Sequence, residues 1–347
     1  MENKVLDFLK KEIDMGNIPG AAIYVSYQGK AVMEKSIGYR TLHPEKAQMK
    51  NDTIFDLASL TKIVTTTMAA LQLLDKGAIR LDDKVSHFFP KFAVDGKSGV
   101  TFKHLLTHTS GLSAHRPFYE DALQTDQIIE RICAEKLEAP LGEKVIYSDL
   151  GFILLAKLIE MITNQPFDQY VFQEILDPLT MNETGFNLTL DQNRFAATAF
   201  SEKIGDYKYG IVHDDNAESM GGVSGHAGLF STLQDLAKFT LMIENGGSFN
   251  GKRIVSSAAL QLSKKNFTTF DSEGRGLGWQ IKSPGLSCGD LFSENSYGHT
   301  GYTGTSIWFD PDIQLHVILL TNRVHAKNTE AILRLRPRLH NLIRSHF

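Results

Sequence analysis

The sequence predicts an α+β protein: one antiparallel sheet assembled from the two ends of the chain, flanked by helices, with a mostly helical segment inserted between them. Three observations predict it. Ala22-Ile-Tyr-Val-Ser-Tyr27 and Ala31-Val-Met-Glu-Lys-Ser-Ile-Gly-Tyr39 flank a Gln28-Gly29 turn, the pattern of a hairpin. Ser306-Ile-Trp-Phe-Asp310 and Leu315-His-Val-Ile-Leu-Leu-Thr321 form a second hairpin through Asp310-Pro311-Asp312. Between the two hairpins lies a long stretch of helical periodicity punctuated by Gly and Pro.

Taken in order, Val5, Phe8, Leu9 and Ile13 recur at helical spacing and Gly16 supplies the stop. The first hairpin follows. Helical signals then cover Phe102–Leu106, Ala122–Glu135 and Gly151–Met161. After the second hairpin a helix is expected from about Lys327, broken where Pro337 removes a backbone donor. The expected division is a sheet domain of residues 1–90 and 215–347 with a helical insertion at 91–214, and a cleft between the two as the place for a site.

The chain has 347 residues, 42% apolar and 22% charged, enough to bury a large core, which excludes disordered and fibrous classes. Lys plus Arg number 36 against 40 Asp plus Glu, so no basic field exists to hold nucleic acid. No stretch approaches the ~20 apolar residues of a membrane span. The N-terminus, Met-Glu-Asn-Lys-Val-Leu-Asp-Phe, has no apolar leader core and no cleavage site. It predicts cytoplasmic residence, with the cell envelope or secretion as the alternative should a leader precede it. Cys133 and Cys288 sit in no C-x-x-C pair and read as unpaired thiols.

Three motifs carry chemistry. The first is Ser59-Leu-Thr-Lys62, at the mouth of an apolar helix that runs to Leu74 and stops at Gly77. Ser59 and Lys62 share one helical face. A serine hydroxyl needs a base or cation beside it to act as a nucleophile, and a helix N-terminus adds free N–H groups. Read alone, such a pair is more often a helix cap and a solvated lysine. The second motif is Tyr147-Ser148-Asp149, where a loop enters the next helix. A tyrosine between cations can shuttle protons, and an aspartate can position a cation or cap the helix. The third is His299-Thr300-Gly301-Tyr302-Thr303-Gly304, opening a strand, where glycines allow close approach and leave N–H groups for an oxyanion.

In their order and spacing these motifs resemble the serine β-lactamase and penicillin-binding-protein superfamily, in its class C β-lactamase, D-alanyl-D-alanine carboxypeptidase and esterase branch. The resemblance runs over nearly the whole chain. It includes His104-Leu-Leu-Thr-His-Thr-Ser-Gly-Leu112 and Gly225-His-Ala-Gly-Leu-Phe-Ser231, which look like structural segments of the family. It implies a β-lactamase/transpeptidase-like fold. It also implies Ser59 as nucleophile, Lys62 as its general-base partner and Tyr147 as proton relay, with the N–H groups of Ser59 and Tyr302 as oxyanion hole. Asp149, His299, Thr300 and Gly301 fall on substrate-binding positions.

Two residues depart from the family pattern. Asp149 stands where the family has Asn; ionised, it can only accept hydrogen bonds. Pairing with Lys62 would keep that lysine charged and leave Tyr147 as the base. His299 stands where the family has Lys, and an unperturbed imidazole is a cation only below ~6.5. The expected activity is an acyl-enzyme serine hydrolase of D-alanyl-D-alanine carboxypeptidase type. A carboxylesterase or a weak β-lactamase of the same fold is the alternative. From another class comes an inactive homologue that binds cell-wall peptide. The substrate is a small molecule or peptide: a D-amino-acid peptide, an ester or a β-lactam. No cofactor and no metal are expected. His213-Asp214-Asp215 and His226 offer no H-E-x-x-H spacing and read as loop or core residues, and His104 and His108 as part of the structural segment. Phe55, Tyr119, Tyr302 and Trp308 read as cleft-lining or core aromatics.

Overall fold

The computed structural model describes residues 1–326 and 330–347. Helix α1 (Glu2–Asp14) turns Val5 and Leu9 inward and ends before Gly16, whose φ of 72° suits glycine. Strands β1 (Gly20–Tyr27) and β2 (Lys30–Thr41) form the expected hairpin. Gln28 and Gly29 both take positive φ, 51° and 72°, the two-residue turn whose twist matches its flanking strands. β3 (Ala47–Gln48) pairs beyond β2. The other strands come from the far end of the chain: β4 (Gln280–Ile281), β5 (Tyr297–Thr300), β6 (Ser306–Asp310) and β7 (Leu315–Thr321). All join one seven-stranded antiparallel sheet of order β4-β5-β6-β7-β1-β2-β3. Its centre pairs β1 with β7, from Ala21 opposite Thr321 to Tyr27 opposite Leu315.

The middle of the sheet is buried on both faces. Ala22, Ile307, Ile318 and Leu320 point into the larger core with α2 (Thr67–Asp75), α3 (Asp149–Thr163) and α4 (Leu233–Glu244). Ala21, Ile23, Val25, Val317 and Leu319 point the other way, onto α1 and α5 (Ala331–Arg344). Two covered faces explain why β1 and β7 read as nearly continuous apolar runs instead of alternating.

Helix α5 corrects one expectation. Its expected start at Lys327 lies outside the described residues; within them it begins at Ala331, and it runs straight through Pro337. A mid-helix proline costs ~3 kcal/mol. Ending there would expose Leu339 and Ile343, both fully buried, at roughly 1.5–3 kcal/mol each. Packing outweighs the lost hydrogen bond. The middle of the chain carries the expected helices at Phe102–Leu106, Thr125–Ala134 and α3. The second starts later than Ala122 because that residue, at φ 51°, closes a 3-10 turn instead.

A small three-stranded sheet of Phe55–Asp56, Leu229–Ser231 and Gly185–Phe186 sets the approach to Ser59. Cys133 and Cys288 are buried free thiols. Among the described residues no helix is long and apolar enough to cross a membrane.

Candidate active site

The nucleophile motif starts from a kink. Ala58 is held at φ 45°, a left-handed conformation that costs a non-glycine residue energy. Ser59 follows and opens the helix, with Lys62 N bonded to Ser59 O. A π-helical turn, Lys62–Thr66, leads into α2; such wide turns recur at functional sites. Every residue from Lys62 to Leu73 is buried, and Gly77 at φ 68° supplies the predicted stop. Ser59 itself is partly exposed and lines a cleft of about 670 Å³.

Lys62 Nζ lies 3.0 Å from Ser59 Oγ, 2.7 Å from Asp149 Oδ1 and 3.1 Å from His226 O. Three acceptors match the three protons of an ammonium. Burial works against the charge, but Asp149 and Tyr147 outweigh it and raise the Lys62 pKa. For Asp149, burial would raise the carboxyl; Lys62 and His115 more than offset it and hold it far below the usual carboxylate range. The cap of α3 is Ser148, whose Oγ accepts from Gly151 N at 3.3 Å. Asp149 is therefore the first helical residue and its carboxylate turns to Lys62.

Tyr147 lies over that ammonium, its ring centroid 5.0 Å from Lys62 Nζ. His108 fixes the loop. Its ring sits 4.5 Å from the Tyr147 ring, its Nδ1 accepts from Ser148 N at 3.0 Å, and its carbonyl accepts from Ile146 N at 2.9 Å.

Asp149→Asn tests the Lys62 pair. A carboxyl depressed in the folded state contributes stability that is full above its unfolded value of ~3.9 and is lost as pH falls below it. The wild type should therefore exceed the variant by about 1–3 kcal/mol near neutral pH. In thermal melts the gap should close in acid; a gap that widens there would count against the pair.

His299 departs from expectation. Its Nδ1 lies 2.9 Å from Thr300 O, which places a proton on that nitrogen and leaves a lone pair on Nε2. Nε2 is buried without a partner among the described residues. Burial, then Lys62 and Arg275, push its pKa down to about 3. The expected titration near 6.5 is thus corrected: lost solvation and two neighbouring cations keep this ring neutral.

The cation on this wall is Arg275. It is 4% exposed and lines the cleft. Its Cζ lies 5.2 Å from the Tyr147 ring centroid. Nη2 donates to Glu273 Oε2 at 2.7 Å, while Nε and Nη1 are buried with no acceptor among the described residues. Orphaned buried donors on a charged group cost on the order of 1–3 kcal/mol or more, which an incoming oxyanion would relieve.

The glycine-rich loop packs against the nucleophile turn. A Cβ on Gly301 would collide with Leu57 O and Thr305 Oγ1, so only glycine allows this approach. Arg336, from α5, donates to Gly301 O at 2.9 Å and Thr305 O at 2.8 Å and so braces the loop. Thr300 and Tyr302 line the cleft, with Tyr302 61% exposed over the Arg323 guanidinium. Among the described residues neither the Ser59 N–H nor the Tyr302 N–H has an acceptor.

The structure thus brings Ser59, Tyr147, Asp149, His299, Thr300, Gly301 and Tyr302 to one cleft, with Lys62 buried against Ser59 and Asp149. Of the aromatics, Tyr119 and Tyr302 line it; Phe55 and Trp308 belong to the core. The reading of the sequence missed Arg275, Arg336 and the Asp214–His226 pair, Oδ1 to Nε2 at 2.9 Å. The signals were faint: Arg275 stands between two glycines, and Arg336 lies one residue from the apolar stripe of α5. Asp149, Asp214 and His226 place one ligand atom each within 4.8 Å of the others. Of these groups Asp149 is taken up by the Lys62 ammonium, and Asp214 by His226 Nε2.

The family model of beta-lactamases matches residues 5–340. The chain belongs to the beta-lactamase family. Members are serine hydrolases that act through an acyl-enzyme, on a β-lactamase/transpeptidase-like fold. Within the family, the chain is 33% identical to an N-acetylmuramyl-L-alanine amidase of Bacillus subtilis (strain 168), over 93% of this chain and 81% of that one. It is 30% identical to a putative D-alanyl-D-alanine carboxypeptidase of Escherichia coli (strain K12), over 93% and 82%. The solved structure of EstCE1, a hydrolase with promiscuous acyltransferase activity, superposes with a TM-score of 0.78 at 22% identity over 98% of each chain, a likeness of fold.

Proposed function

We propose that this beta-lactamase-family chain hydrolyses peptide-type amides through an acyl-enzyme on Ser59, with a D-alanyl-D-alanine carboxypeptidase-type substrate favoured. The cleft lies between the sheet part, residues 1–90 and 215–347, and the helical part, 91–214. Ser59 Oγ attacks the carbonyl. Its proton is relayed through the Tyr147 oxygen, because Asp149 keeps Lys62 as an ammonium that cannot accept it; the Tyr147 ring lies between Lys62 and Arg275. The Ser59 and Tyr302 N–H groups hold the oxyanion. Tyr147 then protonates the leaving nitrogen, and water releases the acyl group.

The observation that carries the peptide reading over an ester or β-lactam is Arg275, which lines the cleft beside Tyr147 and whose buried Nε and Nη1 have no acceptor among the described residues. They suit a leaving group with a carboxylate. The Bacillus subtilis relative supports a second reading, an amidase that releases a peptide, since such a leaving group also carries carboxylates. A panel of N-acyl-D-Ala-D-Ala, N-acetylmuramyl-L-alanine, p-nitrophenyl acetate and nitrocefin separates these. One of the two amides should exceed the ester and the β-lactam in kcat/KM by roughly tenfold or more; the reverse order would overturn the proposal.

A pH test follows from the neutral imidazole. Selectivity for carboxylate-bearing over neutral substrates should stay flat between about pH 5.5 and pH 8, since a guanidinium is a permanent cation in proteins. A selectivity that decays around ~6.5 would return the role to His299.

A further inference from the structure

We infer that Asp56 is a positioning residue for the nucleophile: its carboxylate braces the kink at Ala58 and ties it to the 213–215 loop, so Ser59 is presented correctly only while that brace is intact. The inference rests on Ser59 being the nucleophile.

Asp56 is buried at 2% exposure. Oδ1 accepts from Ala58 N at 2.8 Å, the N–H of the left-handed residue itself. Oδ2 accepts from His213 N at 2.7 Å. The backbone here is gripped from the opposite side: Thr303 Oγ1 donates to Asp56 O at 2.7 Å and Thr305 Oγ1 to Leu57 O at 3.0 Å. Asp56 therefore joins the nucleophile turn, the loop that offers the Tyr302 N–H, and the loop whose Asp214 holds His226. His226 in turn accepts from Lys62.

The brace needs an acceptor on both oxygens. An amide, or a protonated carboxyl, accepts on one and presents a donor on the other, which would face an N–H. Only the carboxylate fits, which accounts for a buried acid whose hydrogen-bond partners are both backbone N–H groups. Charged groups around it are Lys208 and Asp214 from the 208–215 segment, whose His213 ring is shifted by burial toward its neutral form. The 301–305 loop contributes Tyr302 and hydroxyls, with Arg323 against Tyr302. Burial, aided by Asp214, pushes the Asp56 pKa up to about 6 against the pull of the two N–H bonds and Lys208.

Activity and stability should then move in opposite directions. As pH falls through about 6 the brace is lost and Ser59 becomes slower. Because the folded pKa lies above the unfolded value of ~3.9, the penalty of burying the charge disappears over the same range. A residue that only held the fold together would lose both.

The test is the rate at which a fluorophosphonate labels the full chain from about pH 8 to about pH 5, with kcat, KM and thermal melts. In labelling the Ser59 Oγ–P bond forms, the P–F bond breaks, fluoride leaves and the serine proton is relayed through the Tyr147 hydroxyl to solvent. The wild-type rate should fall with a midpoint near 6. Asp56→Asn should label about tenfold more slowly near neutral pH, with KM nearly unchanged and without that midpoint. The wild-type melting temperature should rise relative to the variant as pH falls. Wild-type labelling in Asp56→Asn, or the same midpoint surviving in it, would overturn the inference. Should that variant not fold, the wild type and Thr303→Val, which removes one hydroxyl of the opposite grip, decide. A rate flat with pH in both overturns the inference; a midpoint near 6 in both, with Thr303→Val slower, supports it. Labelling that persists in Ser59→Ala would instead refute the nucleophile itself, a separate result.

Discussion

Ser59→Ala is expected to lower turnover by ~10⁴-fold or more and to abolish covalent labelling, while melting temperature and secondary structure stay close to wild type. The hydroxyl is partly exposed just before the π-helical turn that leads into α2, and its contact is a 3.0 Å bond from Lys62 Nζ, which retains Asp149 and His226 O when the serine is gone. Its removal therefore leaves no buried charge unpaired. Intact mass after incubation with acylating agents reads the outcome directly. An adduct on the variant would move the nucleophile elsewhere. A wild type that neither labels nor turns over any of the amide, ester or β-lactam substrates would favour the binding-only alternative.

Arg275→Gln should have the second largest effect. Removing a buried cation that meets a substrate carboxylate costs on the order of 3 kcal/mol, roughly a hundredfold in kcat/KM for peptide substrates. A neutral p-nitrophenyl ester has no carboxylate to lose, so the ratio of the two activities should collapse. Arg275→Lys should recover only part of it, because a lysine cannot present two parallel donors. If ester and peptide fall together, Arg275 supports the Tyr147 ring and does not recognise the substrate. The carboxylate would then need another partner.

How far the sequence reveals this site depends on the kind of signal each residue leaves. Ser59, Lys62 and Tyr147 sit in short motifs at helix mouths, and hairpins with turn chemistry such as Gln28-Gly29 specify their own geometry. The α2 stop at Gly77 is local in the same way. The Asp149–Lys62 pair follows from charge alone once both residues are placed together. What sequence does not carry is solvation. Nothing in the order of residues says that His299 is buried beside two cations, so its charge is misjudged until the fold is known. Arg275 and Arg336 look like ordinary polar residues because their partners are reached only through tertiary contacts. Pro337 misleads for the complementary reason: local propensity points to a break, and distant packing overrides it.

The pairing of β1 with β7 bears on how the molecule is made. These neighbours at the middle of the sheet are separated by nearly the whole chain, Ala21 lying against Thr321. On a ribosome the first hairpin must wait, one edge unsatisfied, until the last strand emerges, and such non-local closure is slow and prone to aggregation. A nascent or truncated chain that ends before Leu315 would expose that edge. Chaperone dependence and poor refolding yield are therefore properties to expect of this architecture, and co-expression of a holdase should raise the recovered yield more than lowering the growth temperature alone.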